Sequence, residues 1–309
     1  EVLLAKLIDK HSLEQERYEK LYNYYIGKHA ICERRRSSDN IANNKIVCNH
    51  AKYIVDIAKS YLVGNPVAYS CSDGYDIEAV KNCFAVQDMP SLDAEFEKTM
   101  SIFGKAYELV YADEQSQPKS VCLPPSNTFI VYGAGVGEIP LYGIHYYKKR
   151  DIDGAVTGVC CIVCDREMIY TYENTADSFL HMTMTNSQHH YFGKMPMVEY
   201  RNNEEKQGDF EQMIPLIDAY NILESDRVND KEQFVDAFLF LTGIDLDSEQ
   251  AKKLREERIL MGYEGAAAQY LSKVMSESDI EVLKDSLKSD IHRFSMIPDL
   301  SDQTFGTNL

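Results

Sequence analysis

The spacing of apolar positions divides the chain into helical and extended stretches. Leu3, Leu7, Tyr18, Leu21, Tyr22 and Tyr25 recur at helical spacing over 1–26, and Gly27 supplies a stop, so a tyrosine-rich first helix is predicted. Val47, Ala51, Ile54, Val55, Ala58 and Tyr61 predict a second helix over 45–62. The turn Gly64-Asn65-Pro66 ends it, and a strand is expected over 67–70. A third helix over 91–104 leads into six β-prone runs at 107–111, 128–132, 141–148, 156–164, 168–172 and 179–184. Gly, Asp, Asn or Pro clusters separate most of them at hairpin distances, which predicts an antiparallel meander. The first 200 residues therefore read as an α+β domain.

At Asp209 the pattern changes. Asp209 is a suitable N-cap for a helix running to about Ala237, with Pro215 inside it marking a kink or an overlap of two helical segments. Met213, Ile217, Tyr220 and Leu223 form an apolar stripe, but between Glu224 and Gln233 Val228 stands alone as an apolar residue. A helix so polar is expected to bridge domains or to pack beside copies of itself around a wet space, not to lie on a core. Beyond the run 238–243 a charged helix near 248–257 and candidate strands at 259–262 and 269–273 make a unit too short for its own core. Ile280, Leu283, Leu287, Ile291 and Phe294 then predict a final helix, with Ser278 and Glu281 as a capping box. Two helices flanking an insertion describe a stalk with a head, not a pocket.

Charge sharpens this division. The 309 residues suffice for one large or two ordinary domains, and 32 basic against 49 acidic residues leave a formal charge of −17. Such an excess argues against holding nucleic acid by neutralising phosphates, and it is compatible with a surface that repels DNA. The stretch 209–309 has 21 acidic and 10 basic residues, a net charge of −11. No apolar run approaches the roughly 18 residues that span a bilayer, and residues 1–10 lack the order of a signal peptide, so no membrane association is expected. Because the chain starts at Glu1 and stops at Leu309 in a polar stretch, it reads as a trimmed fragment.

Candidate chemistry is sparse. Eight cysteines are diluted over the chain, which fits a reducing compartment, and the Cys161/Cys164 pair lies in the apolar run 158–164 without a second ligand pair, so buried strand residues are expected in place of a zinc site. Gly133, Gly135 and Gly137 precede a strand-like run, which predicts a hairpin turn where a phosphate loop would need a helix N-terminus. His189 and His190, with His181 nearby, lack a carboxylate or thiol at a spacing that completes a metal set, and the run 186–190 reads as a polar turn. Asp226 and Asp230, interleaved with Arg227 and Lys231, are charges at i and i+4 on a solvated helix, though paired carboxylates of this kind also hold Mg²⁺ in nucleases. The basic clusters Arg34 to Arg36 and Lys148 to Arg150 are expected to be solvated loops. No GxSxG, HExxH or Walker motif occurs. No cofactor and no metal are expected.

Three separated stretches resemble one family. Tyr24-Tyr25-Ile26-Gly27-Lys28-His29-Ala30-Ile31, Asn43-Asn44-Lys45-Ile46-Val47-Cys48-Asn49, Ala51-Lys52-Tyr53-Ile54-Val55-Asp56 and Gly64-Asn65-Pro66-Val67-Ala68-Tyr69 form the first. Gly208-Asp209-Phe210-Glu211, Leu216 to Asn221, Ser225-Asp226 and Asn229-Asp230 form the second, and Ile291 to Ser295 with Ile297 to Asp302 the third. In that order they resemble the portal proteins of long-tailed bacteriophages, in the branch typified by a Bacillus phage.

The resemblance implies a portal fold with an α/β wing over 1–208, a first stem helix over 209–237, a small α/β clip over 238–275, a second stem helix over 276–294 and the start of a tunnel loop over 295–309, with the crown missing from this fragment. It implies a ring, typically a dodecamer, in the capsid of a virion, assembled in the cytoplasm of a bacterial host. Its partners would be terminase, a head-completion connector, capsid and scaffolding proteins, and double-stranded DNA passing without sequence specificity; it would catalyse nothing. The implied stem residues are Asp218, Tyr220, Asn221, Asp226, Asn229 and Asp230. The implied tunnel-loop residues are Pro298, Asp299, Leu300, Ser301, Asp302, Phe305 and Asn308, with Asp299 and Asp302 as an acidic rim and Phe305 packed between loops or against DNA. The alternatives are a metal-dependent DNA-processing enzyme and a monomeric adaptor or scaffold protein.

Overall fold

A computed structural model describes residues 2–36, 42–72, 74–235, 238–242, 267–271 and 277–301. It divides into two compact units: residues 1–29, 49–217 and 290–309 form one, and 30–48 with 218–289 the other. The α+β class expected from the sequence holds, with helices and antiparallel sheets in one chain.

In the first unit the helical pattern over 1–26 is two helices, α1 (Val2–Ser12) and α2 (Gln15–Tyr25), broken where Leu13 lies exposed. The stop at Gly27 is as expected, with φ +86. Helix α3 (His50–Val63) starts later than its apolar pattern suggests because Asn49 caps it, its side chain accepting from the Lys52 amide at 2.9 Å. No strand forms over 67–70; a helix absent from the sequence reading follows instead, α4 (Glu78–Val86). Helix α5 (Met89–Phe103) closes on Gly104, whose φ of +82 turns the chain into strand β1 (Lys105–Ala112).

Strand β1 is the centre of a three-stranded antiparallel sheet with β2 (Pro118–Leu123) on one side and β8 (Met197–Arg201) on the other. The apolar pattern did not reveal β2 or β8, since Pro118-Lys119-Ser120 and Glu199 interrupt both. The expected meander holds from its second run onward, as a second sheet of β3 (Thr128–Tyr132), β4 (Pro140–Arg150), β5 (Val156–Cys164), β6 (Met168–Asn174) and β7 (Thr183–His189), each antiparallel to the next, whereas its first run, 107–111, is β1 of the other sheet. Strand β7 begins later than its apolar residues do. Phe179 and Met182 pack in the core before the strand starts, and the strand itself is exposed throughout.

Alternation along β5 serves two cores. Val159, Cys161 and Val163 pack with Leu4 and Ile8 of α1, while Cys164 joins Tyr107, Leu109, Leu123 and Met197 of the three-stranded sheet. Gly143 on β4 permits that second approach, because a Cβ there would lie 2.7 Å from Met197 Cβ.

The long polar helix is α6 (Ile214–Val235), preceded by a 3-10 turn at Glu211–Met213. Pro215 falls in its first turn, where the missing N–H costs nothing, so no kink is needed. In the second unit β9 (Phe238–Thr242) pairs antiparallel with β10 (Ala267–Leu271). The charged helix near 248–257 and the strand at 259–262 lie outside the described residues. The last helix, α7 (Glu277–Ser295), runs where its apolar spacing placed it. No helix among the described residues is long and apolar enough to cross a membrane.

Candidate functional site

Two arrangements gather the residues singled out by the sequence, one in each unit. The first lies in the second unit, on α6. Its polar stretch is not solvated all round: Asn221, Ser225 and Asn229 are buried. Cys48 donates its backbone N–H to Asn221 Oδ1 at 2.8 Å, Ile46 donates to Ser225 Oγ at 2.9 Å, and Asn44 donates to Asn229 Oδ1 at 2.7 Å. Every second amide of the segment 44–48 thus meets every fourth residue of the helix.

The two periods match for a geometric reason. Four helical residues rise about 6.0 Å, and two extended residues span about 6.6 Å. Three rungs therefore stay in register, with a mismatch of about 1.2 Å at the far end that side-chain torsions absorb. So polar a helix is expected not to lie on a core, and what the sequence does not show is its contact with the segment 44–48. It lies on a backbone whose donors need acceptors, so its buried residues are polar.

The basic loop takes part in the same contact. Asp226 Oδ1 accepts from Arg34 Nη1 at 2.8 Å, from Arg36 Nη2 at 2.6 Å and from Asn229 Nδ2 at 3.1 Å. Arg34 also donates to the Asn44 carbonyl at 2.8 Å and to Asn43 Oδ1 at 3.2 Å. Arg34 and Arg36 are thus engaged within the chain, contrary to the expected solvated loop. Two guanidiniums on Asp226 also oppose a divalent cation there, because like charges so close repel strongly. Asp218 and Asp230 are partly buried on the same helix.

Ion pairs join α6 to α7 within this unit. Arg227 Nη2 lies 2.6 Å from Glu281 Oε1, and Lys284 Nζ lies 3.1 Å from Glu224 Oε1. The carboxylate of Glu224 raises the ammonium of Lys284. Burial pushes the Tyr220 phenol and the Cys48 thiol up, as both lie in this contact. Because α7 starts at Glu277, Ser278 lies inside the helix and the expected capping box with Glu281 is not formed; Glu281 pairs with α6 instead.

The second arrangement lies in the first unit, where α7 ends. After Ser295 the chain reverses at Met296, whose φ is +59, a left-handed residue just past the helix followed two positions later by Pro298. The Ile297 carbonyl lies 3.1 Å from His292 Nδ1; a carbonyl only accepts, so Nδ1 carries the proton. The Tyr53 hydroxyl of α3 donates to the Pro298 carbonyl and accepts from the Leu300 amide, both at 3.0 Å. Edge-on ring contacts set His292 against Tyr53 at 5.5 Å and against His50 at 5.9 Å. Asp299 Oδ1 accepts from the amide and hydroxyl of Ser301 at 3.0 and 2.6 Å, closing a local turn. Asp302, Phe305 and Asn308 lie outside the described residues.

The remaining candidates are structural. Cys161 and Cys164 are buried in β5, and burial raises both thiols to about 12. The glycines 133, 135 and 137 join β3 to β4, the expected hairpin. His189 closes β7 instead of lying in a turn, and His190 is buried with its Nε2 3.1 Å from the Asp165 carbonyl. Lys148 and Lys149 pair with Asp177 and Glu173. Among the described residues no cluster of three or more His, Cys, Asp or Glu is placed to hold a metal.

The family model described as phage portal protein, SPP1 Gp6-like, matches residues 4–309, and the chain belongs to that family. It is 25% identical over 329 aligned positions to the portal protein of Bacillus phage SPP1, covering 98% of this chain and spanning 64% of that relative's length. Among solved structures, a chain from the neck of an empty gene transfer agent particle matches 79% of this chain and 65% of its own length, at 13% identity and a TM-score of 0.46. A chain from the virion of a native gene transfer agent matches 82% and 66%, at 13% identity and a TM-score of 0.43.

Proposed function

We propose that the protein is a ring-forming subunit of the portal vertex of a tailed-phage capsid, a conduit through which DNA is packaged and ejected. The match to the portal family over nearly the whole chain carries this reading. In it, 1–208 is the wing, α6 and α7 are stem helices, 238–275 is the clip and 295–309 begins the tunnel loop. The ring, a dodecamer, works in the virion after assembly in the host cytoplasm, and docks terminase, a head-completion connector and capsid or scaffolding proteins.

The physical logic is that of a channel that must not hold its cargo. A chain of net charge −17 presents carboxylates to phosphate, and like charge discourages sticking whatever the DNA sequence. Asp299 and Asp302 form an acidic rim in this reading, and Phe305 packs between neighbouring loops or against DNA. The portal supplies no catalysis. Asp226, the carboxylate a metal-dependent nuclease would need, instead faces Arg34 and Arg36, which weighs against that alternative.

The test is mass photometry and negative-stain microscopy of the full-length protein across concentration and salt. Closed rings of about twelve subunits with a central channel are expected. A monomer under every condition would transfer the protein to the adaptor class.

A further inference from the structure

We propose that Tyr53 is a positioning residue that sets the course of the polypeptide leaving the last helix, and through it the passage of DNA; its effect on DNA rests on the portal reading above. The chain leaves α7 through a left-handed Met296 and a Pro298 that has no amide to donate. Nothing in 296–300 belongs to a helix or strand, so its path depends on bonds from elsewhere.

Local bonds run from His292 to the Ile297 carbonyl and from Ser301 to Asp299 Oδ1. Two more converge on a single hydroxyl from α3. Tyr53 Oη uses its proton on Pro298 and a lone pair on the Leu300 amide, so it bridges the two sides of the turn. Its ring is in turn held edge-on by His292. The direction of the loop is thereby fixed by α3 together with the end of α7. Any displacement of α3 relative to the end of α7 would be felt at Pro298 and Leu300, before Ser301.

Tyr53→Phe separates this role from packing, since it keeps the ring against His292 and deletes only the bridging oxygen. In the full-length protein, hydrogen exchange of the Leu300 amide is expected to accelerate roughly tenfold. Thermal midpoint and oligomer size stay as in the wild type, while DNA packaged per particle or the rate of ejection falls. Unchanged exchange at Leu300 would overturn the bridging role. Faster exchange with unchanged packaging and ejection would overturn its importance for DNA. Failure of the wild type to form rings would instead overturn the portal reading, and the exchange result would still decide whether the hydroxyl holds the turn. Should Tyr53→Phe lower the thermal midpoint, Leu300→Pro removes the other end of the same bond and is read by the same packaging and ejection assay.

Discussion

The carboxamide oxygen of Asn229 accepts two hydrogen bonds from one residue, from the backbone amide of Asn44 at 2.7 Å and from its Nδ2 at 3.0 Å. Asn229 is buried and Asn44 half-buried, so both bonds are partly shielded from water. Asn229→Leu keeps the volume but orphans the Asn44 amide, and a buried unsatisfied donor costs about 1–3 kcal/mol. Chemical denaturation is expected to show a loss in that range, with Asn229→Ser losing less because a hydroxyl acceptor remains, as at Ser225. An equal or larger loss for Asn229→Ser would mean that the acceptor is not what counts.

Acid should weaken the first unit through two buried imidazoles. Burial holds His11 down at about 4 from an ordinary 6.5, with Glu14 opposing, and burial alone holds His145 at about 4. A histidine whose pKa is lower folded than unfolded takes its proton first in the unfolded chain. Stability is therefore lost as pH falls from about 6.5 to about 4, by at most about 3 kcal/mol for each residue. Glu97 and Asp93, raised by burial, act in the opposite sense in a window that lies above their ordinary carboxyl values and so overlaps this one. The clean measurement is the difference between wild type and His11→Gln: the variant's thermal midpoint should fall less between pH 7 and 4.5.

Gly104 joins α5 to β1 at a φ of +82, and a Cβ there would lie 2.1 Å from the Lys206 carbonyl oxygen. Backbone cannot swing aside as a side-chain tip does. Gly104→Ala is expected to cost more than about 3 kcal/mol, combining a strained dihedral with a backbone clash. A thermal midpoint within 2 °C of wild type, on the order of a few tenths of a kcal/mol, would contradict this.

Thiol chemistry should sort the eight cysteines. Cys32 and Cys71 are exposed, whereas burial holds Cys122 at about 11 and Cys161 and Cys164 at about 12. At pH 8 a disulfide reagent should label Cys32 and Cys71 first and reach the four buried thiols, Cys122, Cys160, Cys161 and Cys164, only after denaturation. Prompt native labelling of Cys161 or Cys164 would contradict their packing.

Much of the architecture was legible because its signals are local. The β3 and β5 runs are apolar and bounded by turn residues, and their strands begin and end where the sequence placed them. The apolar stripe of α7 is equally plain. What escaped has long-range causes. Strands β2 and β8 owe their pairing to β1, with which they align over Tyr107↔Leu123 and Tyr107↔Glu199, and neither alternates cleanly by itself. The start of α3 was misplaced because Val47 sits at helical spacing, while the amides of Ile46 and Cys48 are bonded to α6.

The candidate site was half legible. Asn221, Ser225 and Asn229 stand at i, i+4 and i+8, a periodic stripe of short acceptors that a search for apolar spacing passes over. Its partner was not legible, because the segment 44–48 is recognised through its backbone. Two of the stretches that carry the family resemblance, 43–49 and 221–230, turn out to bind each other. The third meets the first, through Tyr53 and the residues after α7.

The ladder on α6 distributes tolerance to mutation unevenly between its two sides. On the helix the side chains themselves are the acceptors, so Asn221, Ser225 and Asn229 are each confined to a few residue types. On the facing segment the donors are peptide groups that every residue but proline possesses. Positions 46 and 48 should therefore accept wide substitution in an exhaustive library and reject proline, whereas 44, whose side chain also reaches Asn229 and Glu232, should be stricter. Relatives that align poorly over this segment would retain the same contact, because its specificity is written on one strand of the pairing only.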